Sequence, residues 1–250
     1  MPPTNPVLRQ IHRAAGAVPP LLNCYRKVRD VSKSDPLATA LYRKLFDRGR
    51  LRLPEIEAET LAPESGDIRF PVSYPLLAGE DAPLLDMLFL LNLAKGRGVK
   101  RILEIGTYRA RTTAAFHLNC PEAFIASYDI QVLDSPYRRA LLNQPNIQLR
   151  HASFADSAGV LRNEPPYDLI FVDGSHRVEY VIADSRIALE ILAPGGIIVW
   201  HDYRPNDFRN RELRVPEGLE VIRQTVPVFA VKHTTCAVHV SAAKKSSSQT

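Results

Sequence analysis

The stretch that decides the fold is "YDLIFVDGSHRVEYVIADSRIALEILAPGGIIVWHDY", residues 167–203. It opens on one apolar run, Leu169-Ile170-Phe171-Val172, and closes on another, Ile197-Ile198-Val199-Trp200. Between them Val178, Val181, Ile182, Leu189 and Leu192 recur at helical spacing, and Pro194-Gly195-Gly196 is the expected stop. Strand, helix, strand in that order reads as a parallel pair with a crossover helix. Strands without polar alternation belong to a sheet covered on both faces. Each run ends abruptly on groups that carry protons or bind metals: Asp173, Gly174, Ser175 and His176 after the first, His201, Asp202 and Tyr203 after the second. Ligands of an open parallel sheet bind beyond the carboxyl ends of its strands, so these are the first candidate site residues.

The same alternation runs upstream. "DAPLLDMLFLLNLAKGRG" (81–98) reads as a helix ended by Gly96, and "RILEI" (101–105) as a strand. A helix over "RARTTAAFHL", a strand over 123–129, a helix over "SPYRRALLN" and a strand over 147–153 follow. After Tyr203 the pattern breaks: "VPVFAVK" (226–232) and "TCAVHV" (235–240) lie too close together for a parallel crossover, so they form a hairpin and give the sheet an antiparallel edge. The expected architecture is α/β: a three-layer Rossmann-like sandwich with a mostly parallel sheet, an antiparallel C-terminal strand and an N-terminal helical extension. Residues 1–80 are the extension and a connecting segment, 81–240 the domain, and 241–250 a polar tail expected to be disordered.

Charge separates the extension from the domain. Residues 1–52 hold eleven Lys/Arg against three acids, a local charge of +8 in a chain of net +5, so the remainder is slightly acidic. Within the extension, "SDPLATALYRKLFDRG" reads as a helix capped by Asp35, with Pro36 at its first position and Gly49 as its stop. Its face of Leu37, Leu41 and Leu45 fits packing on the domain, or contact with an anionic membrane surface or an acidic partner. No segment approaches the ~18 uninterrupted apolar residues of a membrane span, and the N-terminus lacks the apolar stretch of a signal peptide. Three scattered cysteines, Cys24, Cys120 and Cys236, form neither a CxxC pair nor a zinc pattern. A reduced, cytoplasmic setting is therefore expected. No nucleic-acid-binding module is visible, and a homodimer is left open.

The residues after each strand supply the chemistry. Gly106 lets backbone approach a ligand closely, and the helix behind it offers N-terminal N–H groups. Asp129 ends the next strand about twenty residues on, a spacing that suits the two hydroxyls of an adenosine ribose. "RILEIGTYRARTT", "SYDI", "YDLIFVDGSH" and "ALEILAPGGIIVWHDY", with the final two strands, resemble class I S-adenosylmethionine-dependent methyltransferases, most of all the small-molecule branch with DGSH and HDY signatures. The resemblance covers about residues 81–240 and implies a seven-stranded sheet, six strands parallel and one reversed. It places Glu104, Gly106 and Thr107 along the methionine part of the cofactor, with Tyr108 beside them. Asp129 and Ile130 would hold the ribose end, Ser153 and Phe154 would flank the adenine, and Asp173 would sit near the sulfonium and substrate. Two positions depart from the pattern. The loop after the first strand has one glycine where relatives have two or three, and Ser153 stands where relatives place an acid for the adenine amino group.

Methyl transfer asks the protein to align a nucleophile and remove its proton, since the sulfonium methyl is already electrophilic. The catalytic candidates are His201, Asp202, His176 and Asp173, with the two histidines as bases. The resemblance also implies a magnesium ion on Asp173 and Asp202. His201 weakens that expectation, because magnesium prefers oxygen ligands. The function expected is therefore S-adenosylmethionine-dependent O-methylation of a small hydroxylated substrate. A nicotinamide-dependent oxidoreductase would need G-x-G-x-x-G after the first strand, which is missing. A methyltransferase-like partner-binding scaffold is the non-enzyme alternative. "NEPPY" (163–167) resembles the Asn-Pro-Pro-Tyr motif of amino-methyltransferases but precedes its strand, at the opposite end of the sheet, and reads as a turn. Residues 203–215 carry Arg204, Arg209, Arg211 and Arg214, which would suit an anionic substrate.

Overall fold

The structure is a computed structural model that describes residues 53–63, 65–71, 83–203 and 214–243. The helix expected over 34–49, the basic arm as a whole, Arg204, Arg209, Arg211 and residues 244–250 lie outside the described residues.

In chain order the elements are β1 (Glu55–Ile56), α1 (Leu84–Gly96), β2 (Arg101–Ile105), α2 (Arg111–Asn119), β3 (Phe124–Asp129) and α3 (Pro136–Leu141). Then come β4 (Ile147–His151), α4 (Ala158–Leu161), β5 (Tyr167–Val172), α5 (Val178–Ile191), β6 (Leu192–Trp200), α6 (Val215–Ile222), β7 (Phe229–Val231) and β8 (Ala237–Val240). They build one sheet in the order β1-β7-β8-β6-β5-β2-β3-β4. Only β8 is reversed: it pairs antiparallel with both β6 and β7, while the other pairings are parallel.

The apolar strands are buried on both faces, and their period of two divides the core. Ile197 and Val199 join Leu169 and Phe171 under α1 and α2, against Met87, Leu90 and Phe116. Ile198 and Trp200 join Ile170 and Val172 on the other face, under α5 and α6, against Val181, Leu219 and Ile222. Trp200 has no exposed surface, and its indole N–H donates to Ser185 Oγ at 2.8 Å, so burial leaves no polar atom of that ring unpaired.

Three expectations are corrected. Among the described residues the sheet has eight strands, because part of the segment read as a connector pairs with β7 as β1. Ala230 N–H donates to the Pro54 carbonyl and Lys232 N–H to that of Ile56, at 2.9 and 3.0 Å, so the outer side of β7 is satisfied. The reversed strand is internal: β8 is inserted between β6 and β7, and β1 takes the edge. α5 stops at Ile191, ahead of Pro194, and Leu192 is already extended (φ −72°, ψ 132°) and paired with Tyr167. α1 ends at Gly96 as expected, and the left-handed turn falls on Gly98 (φ 59°). α6 was not anticipated; Gly218 seats it on α5, where a Cβ would meet Val181 Cγ1 at 2.5 Å.

α5 carries an acid on its inner side. Asp184 is 7% exposed, and burial alone raises its pKa from 3.8 to about 6. In the unfolded chain this carboxyl ionises first, so its contribution to stability falls as pH rises from 3.8 to about 6 and the penalty is complete above that. Asp184→Asn is expected to stabilise the fold by about 2 kcal/mol at pH 7.5. The gain should vanish near pH 4, and denaturant midpoints at the two pH values check it.

Candidate active site

The strand order reverses between β2 and β5, and the loops after these strands meet there. Gly106 adopts φ 100°, and a Cβ on it would lie 2.1 Å from the Asp173 carbonyl oxygen. Gly106 N–H donates to the Tyr128 carbonyl and Asp173 N–H to that of Ile105, both at 2.8 Å. The close approach that requires glycine is thus backbone on backbone, between the two loops. The glycines absent from the rest of the loop are replaced by strained residues: Tyr108 (φ 45°) and Ala110 (φ 59°) occupy the left-handed region.

Asp129 fastens this loop. One carboxylate oxygen accepts the Tyr108 N–H at 2.6 Å, and the other accepts that of Gln131 at 2.8 Å. Tyr108 is 40% exposed, with the Arg109 guanidinium 5.3 Å from its ring centre, and Ile130 is 70% exposed beyond Asp129. Beneath the loop Glu104 is buried. Its Oε2 accepts from Ser127 at 2.5 Å and from Thr113, Ser127 Oγ lies 2.6 Å from Thr107 Oγ1, and its Oε1 has no partner. Burial pushes Glu104 up to about 8, reinforced by the charges of Asp173 and Asp129 and opposed by its hydroxyl donors, so this acid is largely neutral at pH 7. Ser153 Oγ accepts the Asp156 N–H at 3.4 Å. Phe154 is a core ring, 5% exposed and edge-on to Tyr128 at 5.7 Å.

The four catalytic candidates meet, and a fifth residue joins them. His201 Nδ1 lies 3.1 Å from Asp173 Oδ1 and 3.5 Å from Asp202 Oδ2. On the other side of the ring Nε2 lies 3.2 Å from Asp86 Oδ2. Asp86 comes from α1, is 2% exposed, and also accepts the backbone N–H (2.9 Å) and hydroxyl of Thr235. His176 is more open, at 30% side-chain exposure. Its Nε2 stands 3.1 Å from Asp202 Oδ2, an ion-pair distance without hydrogen-bond alignment, and 3.8 Å from Asp173 Oδ1. Asp202 is itself left-handed (φ 55°), and the His176 carbonyl accepts the Arg214 N–H at 2.9 Å.

Burial alone would lower both histidine pKa values. The carboxylates win: Asp173 and Asp202 hold His201 well above its ordinary value and His176 at about 9. Burial would likewise raise both aspartates, but His201 and His176 hold them below the usual carboxylate range. The cluster is a set of opposed charges that stabilise one another.

Asp173, His201 and Asp202 also bring one ligand atom each within 4.8 Å, close enough to share an ion. Their chemistry does not fit magnesium. An imidazole replaces an oxygen donor, and its two nitrogens already face the carboxylate oxygens of Asp173 and Asp86. Asp86 was missed in the sequence. The signal was an acid set within the apolar run "LLDMLFLL", at a helix position that proves buried.

A sheet with one reversed strand, a glycine loop at its switch point and an acid ending the adjacent strand define the Rossmann-like methyltransferase fold. Residues 87–203 match the methyltransferase-domain family model. No curated protein matches in sequence. The O-methyltransferase from Bacillus cereus, solved with SAH, is 20% identical with a TM-score of 0.51, over 66% of this chain and 84% of that one. The O-methyltransferase TomG from Streptomyces achromogenes, solved with SAM, is 17% identical with a TM-score of 0.50, over 66% and 84%. Cofactor-bound Rv0187 from MTB is 17% identical with a TM-score of 0.54, over 90% and 98%. These are likenesses of fold.

The loop geometry predicts two substitutions of opposite sign. Gly106→Ala should destabilise by about 3 kcal/mol or more, since the Asp173 backbone has no rotamer with which to yield. Ala110→Gly should stabilise the fold by up to about 1 kcal/mol, and so raise the melting temperature, by relieving a left-handed alanine. Thermal melts of the two variants against the parent check both.

Proposed function

We propose that this methyltransferase takes its methyl group from S-adenosylmethionine and passes it to a hydroxyl of a small molecule held at Asp173, His176 and Asp202. The observation that carries the reading is Asp129. It ends β3 with its carboxylate bridging the Gly106 loop and the following turn, where a ribose can take up its oxygens. Thr107 and Tyr108 line the methionine side, with Glu104 beneath them. Ile130 and Ser153 flank the adenosine, and Phe154 backs that wall from the core. The O-methyltransferase neighbours solved with SAH or SAM support the donor and the acceptor class.

The roles of the catalytic candidates divide by exposure. His201 is 6% exposed and presents no nitrogen to a substrate, so it positions the carboxylates instead of taking the proton. His176 is the most open of the four and stands between Asp173 and Asp202. Its neutral form, the minority species below its pKa of about 9, receives the hydroxyl proton as the methyl moves in line from sulfur to oxygen. Among the described residues no helix is long and apolar enough to cross a membrane. A basic arm that meets an anionic surface or acidic partner, a cytoplasmic setting and a homodimer remain parts of this proposal that the sequence alone supports.

Calorimetry tests the reading: SAH should bind and NADH should not. Asp129→Ala should weaken SAH at least about tenfold through loss of charge-assisted hydrogen bonds to the ribose. His176→Ala should leave SAH affinity intact and lower SAH release with a panel of phenols, catechols and sugars about a hundredfold or more. Unchanged release would remove His176 from the mechanism. Binding of neither ligand would favour the scaffold alternative.

A further inference from the structure

The resemblance implies a divalent cation between Asp173 and Asp202, and the structure puts a histidine there. His201 sits among three carboxylates contributed by α1, by the end of β5 and by the residue after His201 itself. Asp86 already accepts two hydrogen bonds from Thr235, one on each carboxylate oxygen. Both oxygens are thus turned toward donors, and the contact to His201 Nε2 is met with that nitrogen carrying the hydrogen. The same reasoning holds at Nδ1, whose hydrogen-bond line runs to Asp173. An imidazole that donates from both nitrogens is an imidazolium, with no lone pair left for a metal. The charge count agrees: two adjacent carboxylates, Asp173 and Asp202, lie within reach of one buried positive ring.

We propose that His201, pinned by Asp86, is a built-in cation that takes the place of the divalent ion, so that this site works without metal. Asp86 is then a positioning residue. It fixes the ring so that Nδ1 faces Asp173 and Asp202, and these in turn face the acceptor. Thr235 brings Asp86 under the control of the β7–β8 turn. The upward pull of the aspartates on His201 and its downward pull on them are the electrostatic expression of the same arrangement. The catalytic part of the inference rests on the methyltransferase reading above, whereas the charge state of His201 does not.

The experiment therefore has separate arms. Nitrogen-detected NMR of the full chain should show both His201 ring nitrogens protonated at neutral pH. In Asp86→Asn that signature should change to one bare nitrogen, which a merely structural loss elsewhere would not produce. Calorimetry with Mg²⁺, Mn²⁺ and Zn²⁺ should show no stoichiometric binding to the wild type. His201→Asp, which restores an oxygen donor, should bind Mn²⁺ at least about tenfold tighter than the wild type. SAH release should be the same in EDTA as in added Mg²⁺. A neutral His201 ring, stoichiometric binding of any of the three ions to the wild type, or loss of release in EDTA restored by an ion would overturn the inference. Should His201→Asp not fold, the wild-type NMR and ion titrations still decide it. Failure of SAH to bind would instead strike the methyltransferase reading and leave the charge state of His201 standing or falling on the NMR.

Discussion

The site depends on one electrostatic constraint: three aspartates, Asp86, Asp173 and Asp202, are drawn around a single buried imidazole. Stripping one partner from such a buried pair typically costs 3–5 kcal/mol, because the remaining charge is left without water. The group therefore acts as a knot between elements far apart in the chain. α1 supplies Asp86, β5 and β6 deliver Asp173 and His201 at their carboxyl ends, and the turn before β8 supplies Thr235 to hold Asp86. The inserted hairpin, which at first looks like a way to finish a sheet, has this second consequence. Seating β8 against β6 is what brings Thr235 to the base of the site.

The legible part of the fold was the part written in continuous hydrophobicity. Leu169–Val172 and Ile197–Trp200 announce strands because parallel strands are covered on both sides, and their ends point to the site without further information. Asp173, His176, His201 and Asp202 were readable for that reason alone. Asp86 was not, since its partner is 115 residues away and a lone acid on a helix ordinarily reads as solvent-facing. β1 escaped notice because two residues carry no period; only the pairing partner β7 makes them a strand. α6 is short and carries Gly218, which makes sense only once α5 lies beside it.

The Gly106 loop shows the same division. One glycine was visible, and the sequence reads it as the place where backbone approaches a ligand closely. What it approaches, the Asp173 backbone, is a tertiary fact. That Tyr108 and Ala110 would take left-handed conformations could not be read from the sequence, because neither residue type favours them. Such strain persists only where surroundings over-determine it. Here the surroundings are identifiable: Asp129 holds the Tyr108 N–H, and Ala110 is fully buried at the start of α2.

These two features, the charged knot and the strained loop, meet at Asp173. Its backbone is what Gly106 packs against, and its carboxylate is what His201 holds. A shift of the β5 loop would therefore be felt on both sides of the reaction, at the residues proposed for the donor and at those proposed for the acceptor. Catalysis by alignment needs such a common reference, since the donor carbon and the acceptor oxygen must be placed relative to each other and not merely each in its own pocket. At the switch point of the sheet the chain supplies one through a residue fixed by backbone contact on one side and by charge on the other.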